Sequence, residues 1–188
     1  KKTVLTLSMQ NRKFNASLRD TYFEKALHSF SEFNDDYSME TPLFSASAKI
    51  LDFQSSIDTA LEYSKTAVAG VKTDERASHS EAGFFREEIL FMHLLDDCAS
   101  ACRYVSTRQS TINELADYRK KISALSLAGK QKGYVSRILN YIDEKRSRDD
   151  IEIRQILKQV KHSLAIAETI FSTIKIKTAD TASKGKTK

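Results

Sequence analysis

The sequence of residues 84–128 is FFREEILFMHLLDDCASACRYVSTRQSTINELADYRKKISALSLA, a run without proline or glycine. Apolar residues recur in it at steps of three and four, which places them along one face of a helix. Since the average globular helix has about 11 to 12 residues, this run predicts an unusually long one. The residues on that face are Phe85, Ile89, Met92, Leu95, Ala99, Cys102, Val105, Ile112, Leu115, Ile122 and Leu125.

Helix-breaking residues are rare throughout the chain, which holds one proline and five glycines in 188 residues. Proline removes an amide donor and glycine costs backbone entropy, so both interrupt helices. No alternating strand pattern occurs. We therefore predict an all-α fold in which long antiparallel helices form an elongated helical bundle or coiled coil. The predicted helices cover residues 3–33, 42–69, 84–128 and 134–176.

The segments between these helices also have predicted structures. Thr41 and Pro42 suit the cap and first position of the second helix, and residues 70–80 are polar enough for a loop or hinge. Gly129 and Gly133 predict a tight turn. The fourth helix begins its apolar face with Ile138, Tyr141 and Ile142. One helical domain then spans residues 1–177, and residues 178–188 are predicted to be a disordered basic tail.

Chemical motifs are scarce. Cys98 and Cys102 stand four residues apart on one helix, where a disulfide would be strained, so we expect free thiols in a reducing, cytoplasmic compartment. The apolar stretch after Lys1 and Lys2 is too short for a signal peptide. A zinc site of His93 with both cysteines lacks a fourth ligand. We predict no catalytic residue, metal or cofactor, and therefore no enzyme.

The positive charge is concentrated in the last third of the chain. Residues 130–188 hold 14 Lys/Arg and 7 Asp/Glu, which gives +7, whereas residues 1–129 hold 16 and 18, which gives −2. This asymmetry predicts an anionic partner, a lipid surface or nucleic acid, or else a solvated face with a basic tail. Nucleic acid is disfavoured because the aromatic residues lie in apolar helix faces and form no stacking platform.

The basic residues gather at one end of the third and fourth helices if these pair antiparallel about residue 131. Residue 121 then lies near 141, and residue 119 near 143. Each basic residue close to an anionic leaflet contributes about 1 kcal/mol, although Asp143, Glu144, Asp149 and Asp150 would neutralise part of the charge. The predicted lipid contacts are Arg119, Lys120, Lys121, Lys130, Lys132, Lys145, Arg146 and Arg148.

Residues 94–115, LLDDCASACRYVSTRQSTINEL, followed by Arg119-Lys120-Lys121, resemble the middle helix of the BAR region of sorting nexins. The resemblance rests on a turn of small residues, Arg108-Gln109, Glu114-Leu115 and that basic run. It is closest to the autophagy-related members and extends over residues 20–175. It implies a banana-shaped homo- or heterodimer that senses or imposes membrane curvature, peripheral on endosomal or autophagic membranes.

Long helices with one apolar face bury little surface alone, so we expect a partner chain to complete the core. Two other functions stay open: a helical adaptor that binds proteins through its grooves, and a ligand-sensing four-helix bundle. The predicted dimer-interface residues are Phe30, Phe33, Ile50, Phe53, Ile57, Ile89, Met92, Leu95, Cys102 and Val105.

Overall fold

The computed structural model describes residues 2–38, 43–69, 79–125 and 130–184, with side chains at 10–33 (except Arg12), 50–68, 86–125 and 131–176. Its four helices are α1 (Lys2–Ser38), α2 (Leu43–Ala69), α3 (His79–Ser123) and α4 (Lys130–Lys184). These described residues contain no strand. The all-α prediction is confirmed.

Five predicted helix ends are wrong by four residues or more. The first helix continues past residue 33 to Ser38, the third spans His79–Ser123 and not 84–128, and the fourth spans Lys130–Lys184 and not 134–176. Gly83 lies inside α3 and Gly133 inside α4, because one glycine costs a helix only about 1 kcal/mol. The predicted turn at 129–133 is therefore helical from Lys130 onward. The predicted tail is helical as far as Lys184, since extending an existing helix needs no new nucleus. Residues 39–42, 70–78, 126–129 and 185–188 lie outside the described residues.

Each helix runs antiparallel to the next, since contacting residues on neighbouring helices have numbers with a nearly constant sum. The pairs are Tyr22–Tyr63 and Phe30–Phe53 between α1 and α2, Asp58–Arg103 and Gln54–Ser106 between α2 and α3, and Glu152–Tyr104 and Asp143–Arg119 between α3 and α4.

A single apolar core joins all four helices. Phe23 of α1 is fully buried, and its ring centroid lies 4.9 Å from that of Phe91 on α3 and 5.0 Å from that of Phe171 on α4. Phe30 contacts Phe53 of α2 at 5.0 Å. Such aromatic pairs stabilise a fold beyond the area that they bury.

The predicted dimer-interface residues belong to this core. Their apolar faces close on one another within one chain, because four helices supply the neighbours that the prediction assigned to a second subunit. Met92 is half-buried against the core, and Ile89 is half-buried. We therefore reassign the set from a dimer interface to the core; its buried members are Phe30, Phe33, Ile50, Phe53, Ile57, Leu95, Cys102 and Val105.

The hairpin of α3 and α4 extends beyond the other two helices. Since Gln54 contacts Ser106, Leu43 at the start of α2 lies opposite about residue 117 of α3. The α1 helix ends further from the tip of the hairpin. Arg19 pairs with Glu88, 69 positions later, so the same offset places Ser38, the last residue of α1, beside about residue 107 of α3. By this register, residues 118–125 and 131–142, here called the α3–α4 tip, lie beyond the described ends of α1 and α2.

Candidate binding surface at the α3–α4 tip

The α3–α4 tip is a two-helix projection of positive charge. Between residues 118 and 142 the sequence contains no Asp or Glu. The nearest acidic residues are Asp117 and Asp143, one at each end of this stretch. The basic residues within it are Arg119, Lys120, Lys121, Lys130, Lys132 and Arg137.

Several of these cations point into solvent. Lys120 and Lys121 are exposed in the last turn of α3, and Lys132 and Arg137 are exposed in the first turns of α4. The side chain of Lys130 lies outside those described. Arg148, further along α4, is exposed as well. The described structure shows no carboxylate in contact with these exposed side chains, so they could approach an anionic surface without breaking an ion pair.

Arg119 instead joins α3 to α4 at the base of the tip. Its Nε and Nη2 donate to the two carboxylate oxygens of Asp143 at 2.7 and 3.0 Å. The Arg119 hydrogen bond holds the pKa of Asp143 below its usual value, and the same bond raises the pKa of Arg119. The prediction that residue 119 lies near residue 143 is confirmed.

Two further cations on α4 also have carboxylate partners. Lys145 pairs with Asp149, one turn along the helix, and Arg146 lies 3.8 Å from Asp143. Both cations are half-buried. Arg119, Lys145 and Arg146 thus differ from the exposed cations of the tip in having carboxylate partners, and their contact with lipid stays a prediction.

A polar layer lies between α3 and α4 behind the tip. Asp149 is buried there, with Arg108 of α3 at 3.8 Å. Arg108 also donates through Nε to the Tyr104 hydroxyl at 2.8 Å, and that hydroxyl donates to Glu152 of α4 at 2.6 Å. The Tyr104 hydrogen bond raises the pKa of Arg108, and nearby Glu152 and Asp149 raise it further. These contacts fix the register of the hairpin.

Exposed apolar side chains accompany the charges, which helical periodicity did not predict. Leu125, Ile138 and Tyr141 belong to the predicted apolar helix faces, yet their surfaces are 57, 47 and 59 % exposed. Only their neighbour Ile142 is buried. Tyr118 and Tyr134 are exposed to 56 and 64 %. The signal was present in the helix lengths, since the second predicted helix was much shorter than the third.

Basic and aromatic groups are paired within the tip. The ammonium of Lys121 lies 5.8 Å from the ring centroid of Tyr118, and the guanidinium of Arg137 lies 6.0 Å from that of Tyr134. Cations at such distances are attracted to the face of the ring. The tip thus presents positive charge and apolar surface side by side.

The two cysteines lie elsewhere, in the core. Burial, helped by nearby Asp97, raises the pKa of the Cys98 thiol to about 12, and burial also raises the pKa of Cys102. A thiol needs its deprotonated form to act as a nucleophile, so both are poorly suited to catalysis at neutral pH. His93 is exposed, whereas both thiols are buried. The three side chains that a zinc site would require therefore lie in different environments.

Cys98 borders an open groove of about 600 Å³ between α3 and α4. Its lining combines apolar side chains with the Cys98 thiol and with the polar residues Asp97, Lys158 and His162. Within the described parts of the chain, no three His, Cys, Asp or Glu residues are grouped as metal ligands. The groove is lined by Asp97, Cys98, Ala101, Lys158, Gln159, Val160, His162 and Ser163.

In the part of the chain that the structure describes, no helix has a stretch apolar and long enough to cross a bilayer. Comparisons with protein-family models, curated proteins and solved structures found no match for this chain.

Proposed function

We propose that this chain is a non-enzymatic, membrane-associated scaffold that binds anionic membranes through the α3–α4 tip. One observation carries the proposal: two helices project past the rest of the bundle over a stretch with no acidic residue, and they expose Lys120, Lys121 and Lys132. At about 1 kcal/mol for each basic residue near an anionic leaflet, one tip binds weakly and reversibly.

A dimer, formed with a second copy or with a related helical subunit, would place two tips on one membrane and strengthen binding by avidity. The core is closed within the chain, so a partner would pack on the outer surface. The accessible surface of 12963 Å², against about 9,100 Å² for a compact protein of this mass, supports the elongated shape that a curvature scaffold needs. The resemblance to sorting nexins supports a cytoplasmic location, peripheral on endosomal or autophagic membranes.

Vesicle co-sedimentation tests the tip. We expect the protein to bind vesicles in which about a third of the lipid is anionic phosphatidylserine. It should not bind vesicles made of phosphatidylcholine alone. The triple variant Lys120→Glu, Lys121→Glu and Lys132→Glu should abolish binding. Raising the salt concentration should weaken wild-type binding, because ions screen exposed charges.

The matched control changes the net charge equally on a different surface, through Lys13→Glu, Lys25→Glu and Lys161→Glu. All three of these lysines are exposed. The control should retain most of the wild-type binding. Equal losses in both triple variants would show that total charge alone matters, and a wild-type protein that ignores anionic vesicles would end the proposal.

The groove beside Cys98 favours a second candidate function, a helical adaptor or ligand-sensing bundle that binds a peptide or small molecule there. Its volume of about 600 Å³ is within the range of ligand pockets. Ala101→Trp would fill this groove without touching the tip. Such a variant should leave vesicle binding unchanged if the membrane proposal is correct.

A further inference from the structure

We propose that the α3–α4 tip inserts its exposed tyrosine and aliphatic side chains into the interfacial layer of the bilayer. This inference rests on the proposed function and gives the site a second mode of contact. The lysines would attract the tip to anionic headgroups, while the apolar side chains would enter the boundary between headgroups and acyl chains.

Apolar exposure is concentrated at the tip. Of the twelve large apolar side chains that the described structure exposes, five lie within the 20 tip residues 118–125 and 131–142. Isolated exposed apolar residues are normal, whereas a cluster indicates a contact surface. The cluster consists of Tyr118, Leu125, Tyr134, Ile138 and Tyr141.

The chemistry of the cluster fits a bilayer surface. Tyrosine is enriched where membrane meets water, because its ring is apolar and its hydroxyl stays hydrated. Lysine and arginine can extend their charged ends to headgroups while their stems lie on apolar surface. The pairs Lys121 with Tyr118 and Arg137 with Tyr134 place both properties at the same points of the tip.

A bilayer fits these observations better than the other anionic partners. Nucleic acid offers phosphates and stacking for tyrosine, but it leaves Leu125 and Ile138 in water. An anionic leaflet offers both negative charge and an apolar layer directly beneath it. The tip also projects beyond α1 and α2, so it can enter a surface before the remainder of the bundle meets it.

The chain contains no tryptophan, so the emission of a single introduced tryptophan reports on one position. Tyr134→Trp places a single reporter in the tip. Leu90→Trp places the control reporter at a comparably exposed position in the first half of α3, away from the tip. With phosphatidylserine vesicles that contain brominated acyl chains, the Tyr134→Trp emission should shift to shorter wavelength and be quenched. The Leu90→Trp emission should stay unchanged.

A second pair of variants measures the contribution of the apolar groups to binding. Leu125→Ser with Ile138→Ser removes two apolar tip groups and keeps every charge, while Leu51→Ser with Leu90→Ser removes two exposed leucines elsewhere. We expect the tip variant to bind phosphatidylserine vesicles at least tenfold more weakly than wild type, and the control variant to bind normally. Folding should be preserved in both, since these side chains are exposed.

The outcomes separate the inference from the proposed function. If vesicle binding persists without quenching of Tyr134→Trp, and depends on the lysines alone, then adsorption is purely electrostatic and the inference is overturned while the proposed function stands. If the wild type binds no vesicle, both fail. Leu125→Ser with Ile138→Ser could instead weaken binding to RNA or to a second copy and leave vesicle binding unchanged. The cluster would then serve that partner, and the inference would be overturned.

Discussion

Arg19 is a buried cation in the core of the bundle. Its residue surface is 2 % exposed, and it pairs with Glu88 of α3 and with Asp20 beside it. Its guanidinium carbon lies 5.4 Å from the ring centroid of Phe91. Nothing in the periodicity of the sequence indicated this pair, because charged residues at helical spacing are usually solvated. The pair ties α1 to α3 at one register.

Replacing Glu88 alone should be strongly destabilising. Glu88→Leu would leave the buried Arg19 paired with Asp20 but without Glu88, and breaking one side of a buried ion pair costs up to about 3–5 kcal/mol. Urea unfolding followed by circular dichroism measures the change. Arg19→Met combined with Glu88→Leu should recover most of the loss, because the pair can be replaced by apolar packing.

The control for this pair is Glu32→Ala. Glu32 lies 3.6 Å from His28 in an exposed pair on α1, and such exposed pairs contribute about 0–1 kcal/mol. A Glu88→Leu variant as stable as Glu32→Ala would contradict a structural role for the buried pair.

Cys98 should make the fold sensitive to alkaline pH. Its pKa rises from 9.0 to about 12 on folding, so above pH 9.0 the unfolded chain releases this proton while the folded chain keeps it. The free energy of unfolding then falls by about 1.4 kcal/mol for each pH unit up to the folded pKa. Below pH 9.0 the contribution is constant.

Urea unfolding at a series of pH values measures this slope, and Cys98→Ala is the comparison. Wild type should lose stability more steeply than Cys98→Ala between pH 9.0 and about 12, whereas the two curves should run parallel from pH 6 to 8. Parallel curves over the whole range would show that the thiol is not desolvated.

At the scale of elements, Asp143 controls how much charge the α3–α4 tip presents. It binds Arg119 at 2.7 Å and lies 3.8 Å from Arg146. Asp143→Asn removes a negative charge and releases both cations toward solvent. We expect affinity for phosphatidylserine vesicles to rise about fivefold, as one additional surface charge predicts.

Asp58→Asn provides the matched control for this prediction. It frees Arg103 from an ion pair of 2.8 Å and changes the net charge equally, but it lies at the α2–α3 interface away from the tip. Vesicle binding by Asp58→Asn should stay near that of wild type. An equal gain in both variants would locate the effect in total charge.

The existence of the four helices and both ends of α2 could be predicted from sequence, whereas most ends of the other helices could not. Apolar residues at steps of three and four fix a helix and its buried face, as Ile153, Val160 and Leu164 illustrate for α4. The ends depend on smaller energies. One glycine at 83 or 133 was not enough to stop a long helix, and the polar residues after 177 did not stop α4 before Lys184.

At the scale of the whole molecule, the chain closes its own core. Phe53→Ala should therefore cost about 3–5 kcal/mol of unfolding free energy, because Phe53 is fully buried among side chains of the same chain. The loss should be independent of protein concentration. Thermal unfolding at several concentrations, with light scattering for mass, provides the measurement.

A dimer interface at Phe53 would behave differently. The variant would then dissociate into folded subunits, and the melting temperature of wild type would rise with protein concentration. The substitution Leu51→Ala is the control, since Leu51 stands two residues away on α2 and is 54 % exposed. It should change neither stability nor mass.

The candidate site was predicted in part. Counting outward from residue 131 correctly placed Arg119 near Asp143, because an antiparallel hairpin allows only one pairing for a given turn. The identity of the free cations required the structure, since sequence does not show that Asp149 takes Lys145. The exposed apolar cluster was missed because periodicity does not show where the neighbouring helices end.

The closing contacts between the first and last helices have a consequence for how the molecule opens. Glu24 pairs with Lys175 across 151 positions of chain. Arg19 and Glu88 join α1 to α3 across 69 positions, and the remaining interfaces join consecutive helices. Contacts between distant chain segments form late in folding, since their loops are entropically costly to close. We therefore expect backbone amide hydrogen exchange to be fastest along the α1–α4 border. There the α1–α2 hairpin can move away from the α3–α4 hairpin while the α2–α3 interface stays closed.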